Sequence, residues 1–299
     1  MIEPPGIQQG SLVTSLGRMV YYTNSGELWQ LTDELESERP KLVFLHGFGG
    51  GSSAYEWSKV YPAFASDYQI LAPDLIGWGR SEHPERNYRP EDYVAIIIEF
   101  LEKICGEPTP VIASSLTAAF TIRAAIERPD LFKLLILTTP AGLSDFGENY
   151  TQSFFAQLIA TPILDRLLYS VGVATAGGIQ NFLENRQFAN SSLVYPEIVQ
   201  AYLKSAQQPR GDYAALAFVR GDLCFDLANY VPQLATPTAI LWGRKSQFTG
   251  PEIGQRLADL NPGAIKVFQV LEDVGLTPQL ELPAVTIGLI RKYLKLLSA

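Results

Sequence analysis

Histidine is nearly absent from this chain, with only His46 and His83 among 299 residues. Cysteine is as scarce, with Cys105 and Cys224 alone. That count excludes a disulfide framework, and the two positions have no metal-ligand spacing. One disulfide stays open, but isolated cysteines fit a reducing compartment better. Basic residues are also short, 23 Lys and Arg against 31 Asp and Glu, for a net charge of −8. An acidic chain without a basic run is a poor partner for nucleic acid or an anionic membrane surface. Long apolar runs are missing too. The best, Val94–Leu101 and Leu134–Leu137, fall far below the ~20 residues of a spanning helix. The opening MIEPPGIQQG has no basic stretch followed by an apolar one, so no signal peptide is expected. These absences predict a cytoplasmic protein with no membrane-spanning segment, no cofactor and no metal.

What is present is an ordinary globular composition, 47% hydrophobic and 18% charged, long enough to bury a large core. Residues 11–23 alternate and break at Gly17, which predicts an opening β-hairpin. Short apolar runs at Lys41–His46, Gln69–Ala72, Pro110–Ser114, Phe132–Thr138, Thr236–Trp242 and Ala264–Leu271 predict buried strands. Helices are expected from Pro90 to about Cys105, over Leu116–Arg128, near Pro251–Leu260 and over Leu280–Leu297. Strands alternating with helices imply an α/β fold, a mostly parallel sheet with helices on both faces. Between Ala141 and about Asp226 the strands stop. Apolar residues there recur at helical spacing (Phe154, Phe155, Leu158, Ile159, then Ile163, Leu167, Leu168). That pattern predicts a helical cap over 143–228, with 1–142 and 229–299 forming the core.

Two motifs follow the first buried strands. His46-Gly47-Phe48-Gly49-Gly50-Gly51 closes one strand, where glycines let backbone N–H groups approach a ligand oxygen. Pro73-Asp74-Leu75-Ile76-Gly77-Trp78-Gly79-Arg80-Ser81 follows the next. Together, and with this element order, the chain resembles the α/β-hydrolase family from about Lys41 to its end. The resemblance implies that oxyanion-binding amides lie among Gly47, Phe48, Gly49 and Leu116. It makes the Asp74–Ser81 loop mainly structural.

The resemblance also exposes what is altered. The nucleophile elbow, G-x-S-x-G in the family, reads Ala113-Ser114-Ser115-Leu116-Thr117. Ser115 takes the nucleophile position and both flanking glycines are replaced. The family's acid position after Trp242-Gly243 holds Ser246. Asp145, near the end of an earlier strand, is an alternative acid. The family's G-H-x-P-x-x-E-x-P segment reads Gly275-Leu276-Thr277-Pro278-Gln279-Leu280-Glu281-Leu282-Pro283. The frame aligns without a gap and Leu276 replaces the histidine. Neither remaining histidine is expected to act as base. His46 is expected to order its loop by hydrogen bonding, and His83 to be solvated. Lys245 needs burial to lower its pKa before it can act as a base, and nothing in the sequence argues for burial.

A serine without a base is a weak nucleophile at neutral pH. The sequence therefore favours a protein with the standard serine-hydrolase activity impaired or lost, one that binds a small apolar ligand or a protein partner. Two alternatives stand beside it. One is an active esterase or thioesterase-type hydrolase using Ser115 with a non-standard base. The other is an interaction protein with a collapsed pocket.

Overall fold

The computed structural model describes residues 4–26, 28–29, 39–147 and 169–298. Eight strands form one sheet in the order β1-β2-β4-β3-β5-β6-β7-β8. Strands β1 (Ile7–Thr14) and β2 (Gly17–Asn24) make the expected hairpin. β2 runs antiparallel to β4 (Gln69–Asp74), and every later pairing is parallel. These are β3 (Lys41–Leu45), β5 (Thr109–Ser114), β6 (Phe132–Thr138), β7 (Thr238–Gly243) and β8 (Ile265–Leu271).

The apolar runs of β3 to β7 are continuous because both faces of the sheet are covered there, while the edge strand β8 is partly exposed. Val43, Leu45, Val111, Ala113, Leu135 and Leu137 pack into one core with residues of α1 (Pro90–Phe100) and α2 (Ser115–Glu127). The intervening Leu42, Phe44, Ile112, Leu134 and Ile136 pack into a second core with Ile290, Tyr293 and Leu294. Those last three belong to the closing helix.

That closing helix is two pieces, where the sequence predicts one over Leu280–Leu297. A short turn, Pro278–Glu281, ends at Leu282, and a long helix, Pro283–Leu297, follows. Leu282 has φ −132° and ψ 61° because the ring of Pro283 disfavours helical backbone before it.

Between β6 and β7 the described residues are helical, with α3 (Ala176–Phe182), α4 (Pro196–Ala206) and α5 (Asp212–Arg220). A π-helical turn, Leu183–Gln187, continues α3. The apolar stripe from Phe154 to Leu168 lies outside the described residues. α6 (Pro251–Asp259) separates β7 from β8, and Pro278–Glu281 and Pro283–Leu297 are α7 and α8. Among the described residues no helix is long and apolar enough to cross a membrane. Cys105 and Cys224 are both free thiols.

The strand order fixes where a site can form. β3 has β4 on one side and β5 on the other. The chain therefore reverses its direction across the sheet at the β3–β5 pair. Ligands of open α/β sheets bind at the carboxyl ends of such strands. The glycine loop leaves β3 there, and Ser115 leaves β5 beside it.

Candidate functional site

Ser115 is the first residue of α2 and stands at φ 57°. Serine seldom adopts the left-handed region, and the cost is roughly 1–2 kcal/mol. The sharp strand-to-helix turn of a nucleophile elbow is thus present although Ala113 and Thr117 replace its glycines. Both replacements are fully buried, and the Thr117 hydroxyl has no hydrogen-bond partner among the described residues. Ser115 itself is half-buried. We predict that Ser115→Gly stabilises the fold by about 0.5–1 kcal/mol, because glycine accepts this backbone freely. Urea unfolding of the two proteins measures this, and a loss of stability would contradict the strain.

The loop after β3 lies against the elbow. A Cβ on Gly47 would stand 3.3 Å from the Ser115 Cβ and 3.5 Å from the Ser114 Oγ. His46 holds this loop from beneath. Its Nδ1 lies 2.7 Å from the Gly47 carbonyl, and its Nε2 accepts the Leu75 amide at 3.0 Å. The ring is therefore neutral, with its proton on Nδ1. Burial lowers its pKa to about 4. Because the peptide unit is planar, fixing the Gly47 carbonyl also fixes the direction of the Phe48 N–H. The Phe48 ring is sunk among Trp78, Tyr93 and Phe120, with centroids 4.9, 4.7 and 5.5 Å away. The Phe48 amide has no acceptor among the described residues. Leu116, in the first turn of α2, has none either, as expected where a helix has no preceding turn.

Gly47 corrects one expectation. Its N–H is not a free donor, because it is bonded to the Glu56 carboxylate at 2.8 Å. Gly49 lies beneath Phe182 of α3, whose ring carbon would be 3.3 Å from a Cβ there. Val173 stands over Gly50 in the same way. Side chains from the segment between β6 and β7 thus cover the loop with apolar surface.

Leu276 is buried, and its amide donates to the Gln187 carbonyl at 2.8 Å. The residues around it explain why the frame aligns so well. A Cβ on Gly275 would be 2.4 Å from that same carbonyl, so only glycine fits. Glu281 accepts the Gly275 amide at 2.9 Å and the Ala189 amide at 2.7 Å. The segment is a clasp to the Gln187–Ala189 stretch between β6 and β7, independent of which side chain stands at 276.

The other candidates are committed elsewhere. The Ser246 amide bonds the Gly243 carbonyl, and its buried hydroxyl has no partner among the described residues. Asp145 is buried, and its carboxylate accepts the amides of Gly142 at 3.0 Å and Leu227 at 2.8 Å. It ties the chain just after β6 to Leu227, and burial raises its pKa to about 6. Lys245 is exposed and paired with Asp273 at 2.7 Å, which raises its pKa and keeps it charged. His83 is a second correction. It is buried, with Nε2 3.2 Å from the Gly79 carbonyl, and burial lowers its pKa. The polar residues around it in sequence hide that it tucks under the Gly77–Gly79 turn. The Asp74–Ser81 loop is structural. The Asp74 carboxylate accepts the amides of Ala54 at 2.7 Å and Arg80 at 2.8 Å and the Tyr22 hydroxyl at 3.1 Å.

Three buried polar side chains near the site went unread in the sequence: Glu56, Gln187 and Gln279. Gln279 donates to the Ser114 Oγ at 3.3 Å, and its Oε1 has no partner among the described residues. Glu56 alone carried a signal, a single acid inside the otherwise uncharged Ser52–Trp57.

Residues 42–288 match the model of the alpha/beta hydrolase family. The chain belongs to this family. Among its relatives is the uncharacterized hydrolase YugF of Bacillus subtilis (strain 168), 27% identical over 227 residues, which cover 74% of this chain and 79% of that one. Another is the Karrikin insensitive 2 receptor IA of Petunia hybrida, 24% identical over 257 residues, covering 85% and 89%. The fold also matches an epoxide hydrolase, CorEH, solved without ligand. The TM-score is 0.78 at 20% identity, with 97% of this chain and 99% of that one covered. This alpha/beta hydrolase thus has relatives named as hydrolases and a relative named as a receptor.

Proposed function

We propose that this alpha/beta hydrolase binds a small, apolar, carbonyl-bearing ligand and does not turn it over by the serine–histidine–acid route. The observation that carries the reading is the state of the histidines. Leu276 stands in the histidine's place, and the hydrogen bonds of His46 and His83 go to backbone groups. A serine hydroxyl without a base stays protonated at neutral pH. What remains supports binding. The amides of Phe48 and Leu116 have no acceptor among the described residues, and Val173 and Phe182 supply apolar surface over the glycine loop. The Petunia relative named as a receptor is consistent with recognition of a ligand.

One observation favours a second reading, residual hydrolysis through Ser115. The left-handed backbone at Ser115 is a cost that a pure binding site does not need. The two readings separate in one experiment. The protein is incubated with a fluorophosphonate probe, and its melting temperature is measured with a panel of lipophilic esters and lactones. Binding without turnover predicts no Ser115 adduct and an upward shift with at least one compound. Stoichiometric Ser115 labelling, lost in Ser115→Ala, would establish the hydrolase and overturn the proposal.

A further inference from the structure

Glu56 lies on the 3-10 turn Ala54–Trp57 and is 1% exposed. Its carboxylate accepts the Gly47 amide at 2.8 Å, the Tyr202 hydroxyl at 3.1 Å and the Ser52 side chain. Tyr202, on α4 of the insertion, accepts in turn from the Gln187 Nε2 at 2.7 Å. Gln187 then returns to the core, its carbonyl taking the Leu276 amide at 2.8 Å. One buried chain of hydrogen bonds therefore runs from the donor loop, through the insertion, to the Leu276 segment. The Gln187 amide group donates to the tyrosine oxygen, and the tyrosine hydroxyl donates to a Glu56 carboxyl oxygen. Loss of any link leaves a buried group unpaired.

Other contacts bring the same helix onto the same loop. A Cβ on Gly51 would be 2.1 Å from the Tyr202 carbonyl oxygen, so loop and helix touch backbone to backbone. The Ser205 Oγ donates to the Ser52 carbonyl and accepts the Gly79 amide, both at 3.0 Å. In the first turn of α4, Glu197 accepts the Tyr55 hydroxyl at 2.9 Å, outside the Glu56 chain.

We propose that Glu56 is a positioning residue that makes the Gly47–Phe48 loop and helix α4 one mechanical unit, so that the aim of the Phe48 amide follows the seating of the insertion. Glu56 grips the amide of Gly47, and His46 grips its carbonyl. The Phe48 N–H is then set from both sides of one residue. A ligand that lifts or presses α4 changes that donor through Tyr202, without touching Phe48.

The test is hydrogen exchange by mass spectrometry on the full chain, which needs no ligand and stands apart from the binding proposal. Tyr202→Phe removes one hydroxyl and keeps the ring. It is expected to speed exchange in the peptide spanning Gly47–Gly51 by about tenfold or more, leaving β5 and β6 unchanged. Glu56→Gln is expected to do the same. Glu197→Gln, which loosens α4 outside the chain, is expected to leave Gly47–Gly51 unchanged. The proposal is overturned if Tyr202→Phe leaves that peptide within twofold of wild type. It is equally overturned if Glu197→Gln speeds the peptide as much, or if β5 and β6 speed up together with the loop.

Discussion

Leu276→His combined with Ser246→Asp is expected to create ester hydrolysis that depends on Ser115, at least about 10²-fold above the unmodified protein. The magnitude follows from what is missing and what is retained. In a related serine system, removal of the serine or histidine costs roughly 10⁶ in turnover, and part of the acceleration survives through the oxyanion site. Here the elbow backbone persists at Ser115, and the Phe48 and Leu116 amides are open. The backbone at 276 is already held by Gln187 and by the Glu281 clasp, so a new imidazole enters a fixed frame. Aspartate at 246 replaces a buried hydroxyl that bonds nothing described, so no existing contact is broken. A carboxylate there is needed because a serine stabilises no imidazolium. The activity should rise with pH through the imidazole range and vanish in the triple variant with Ser115→Ala. If the double variant is folded and inert, the residues at 246 and 276 do not face Ser115 as the family frame implies. If the unmodified protein already hydrolyses the same ester through Ser115, the binding proposal falls.

The frame behind that prediction was largely legible in the sequence, for physical reasons. Parallel strands buried on both faces read as plain apolar runs, and five such runs marked β3 to β7, while the edge strand β8, half-exposed, was still apolar enough to read. The motifs were legible because they are local. The Asp74 carboxylate bonds the amide of Arg80 six residues on, and Glu281 bonds that of Gly275 six residues back. What was not legible is long-range. Tyr202 and Glu56 are 146 residues apart, and nothing near either names the other. His83 misled because its neighbours are polar, while its own ring turns inward under Gly79. Gly47 misled because a glycine loop shows where amides are, not which of them are already spent on a buried acid. The left-handed turn at Ser115 was the opposite case. Both elbow glycines are replaced, and the strand-to-helix connection imposes the turn all the same.

Glu281 carries the other large effect, and its sign is open to measurement. Two influences compete there. Burial disfavours the charged carboxylate, while the amides of Ala189, Gly275, Thr277 and Asn190 favour it. Burial wins, and the pKa rises from 4.5 to about 7. A carboxyl whose pKa is higher in the folded state than in the unfolded state binds protons more tightly when folded. Its stabilising contribution is therefore full below pH 4.5 and is lost as the pH rises through about 7. Glu281→Gln has the same shape and does not titrate. The stability of the unmodified protein minus that of Glu281→Gln should thus fall by about 3 kcal/mol between pH 4.5 and 7.5. The difference isolates Glu281, because His46, Asp74 and Asp145 titrate alike in both proteins. Urea unfolding at half-unit pH steps measures it. A difference that rises with pH would mean that the four amides outweigh burial. The clasp at Leu276 would then be tightest at neutral pH, rather than carrying a buried charge there at a cost.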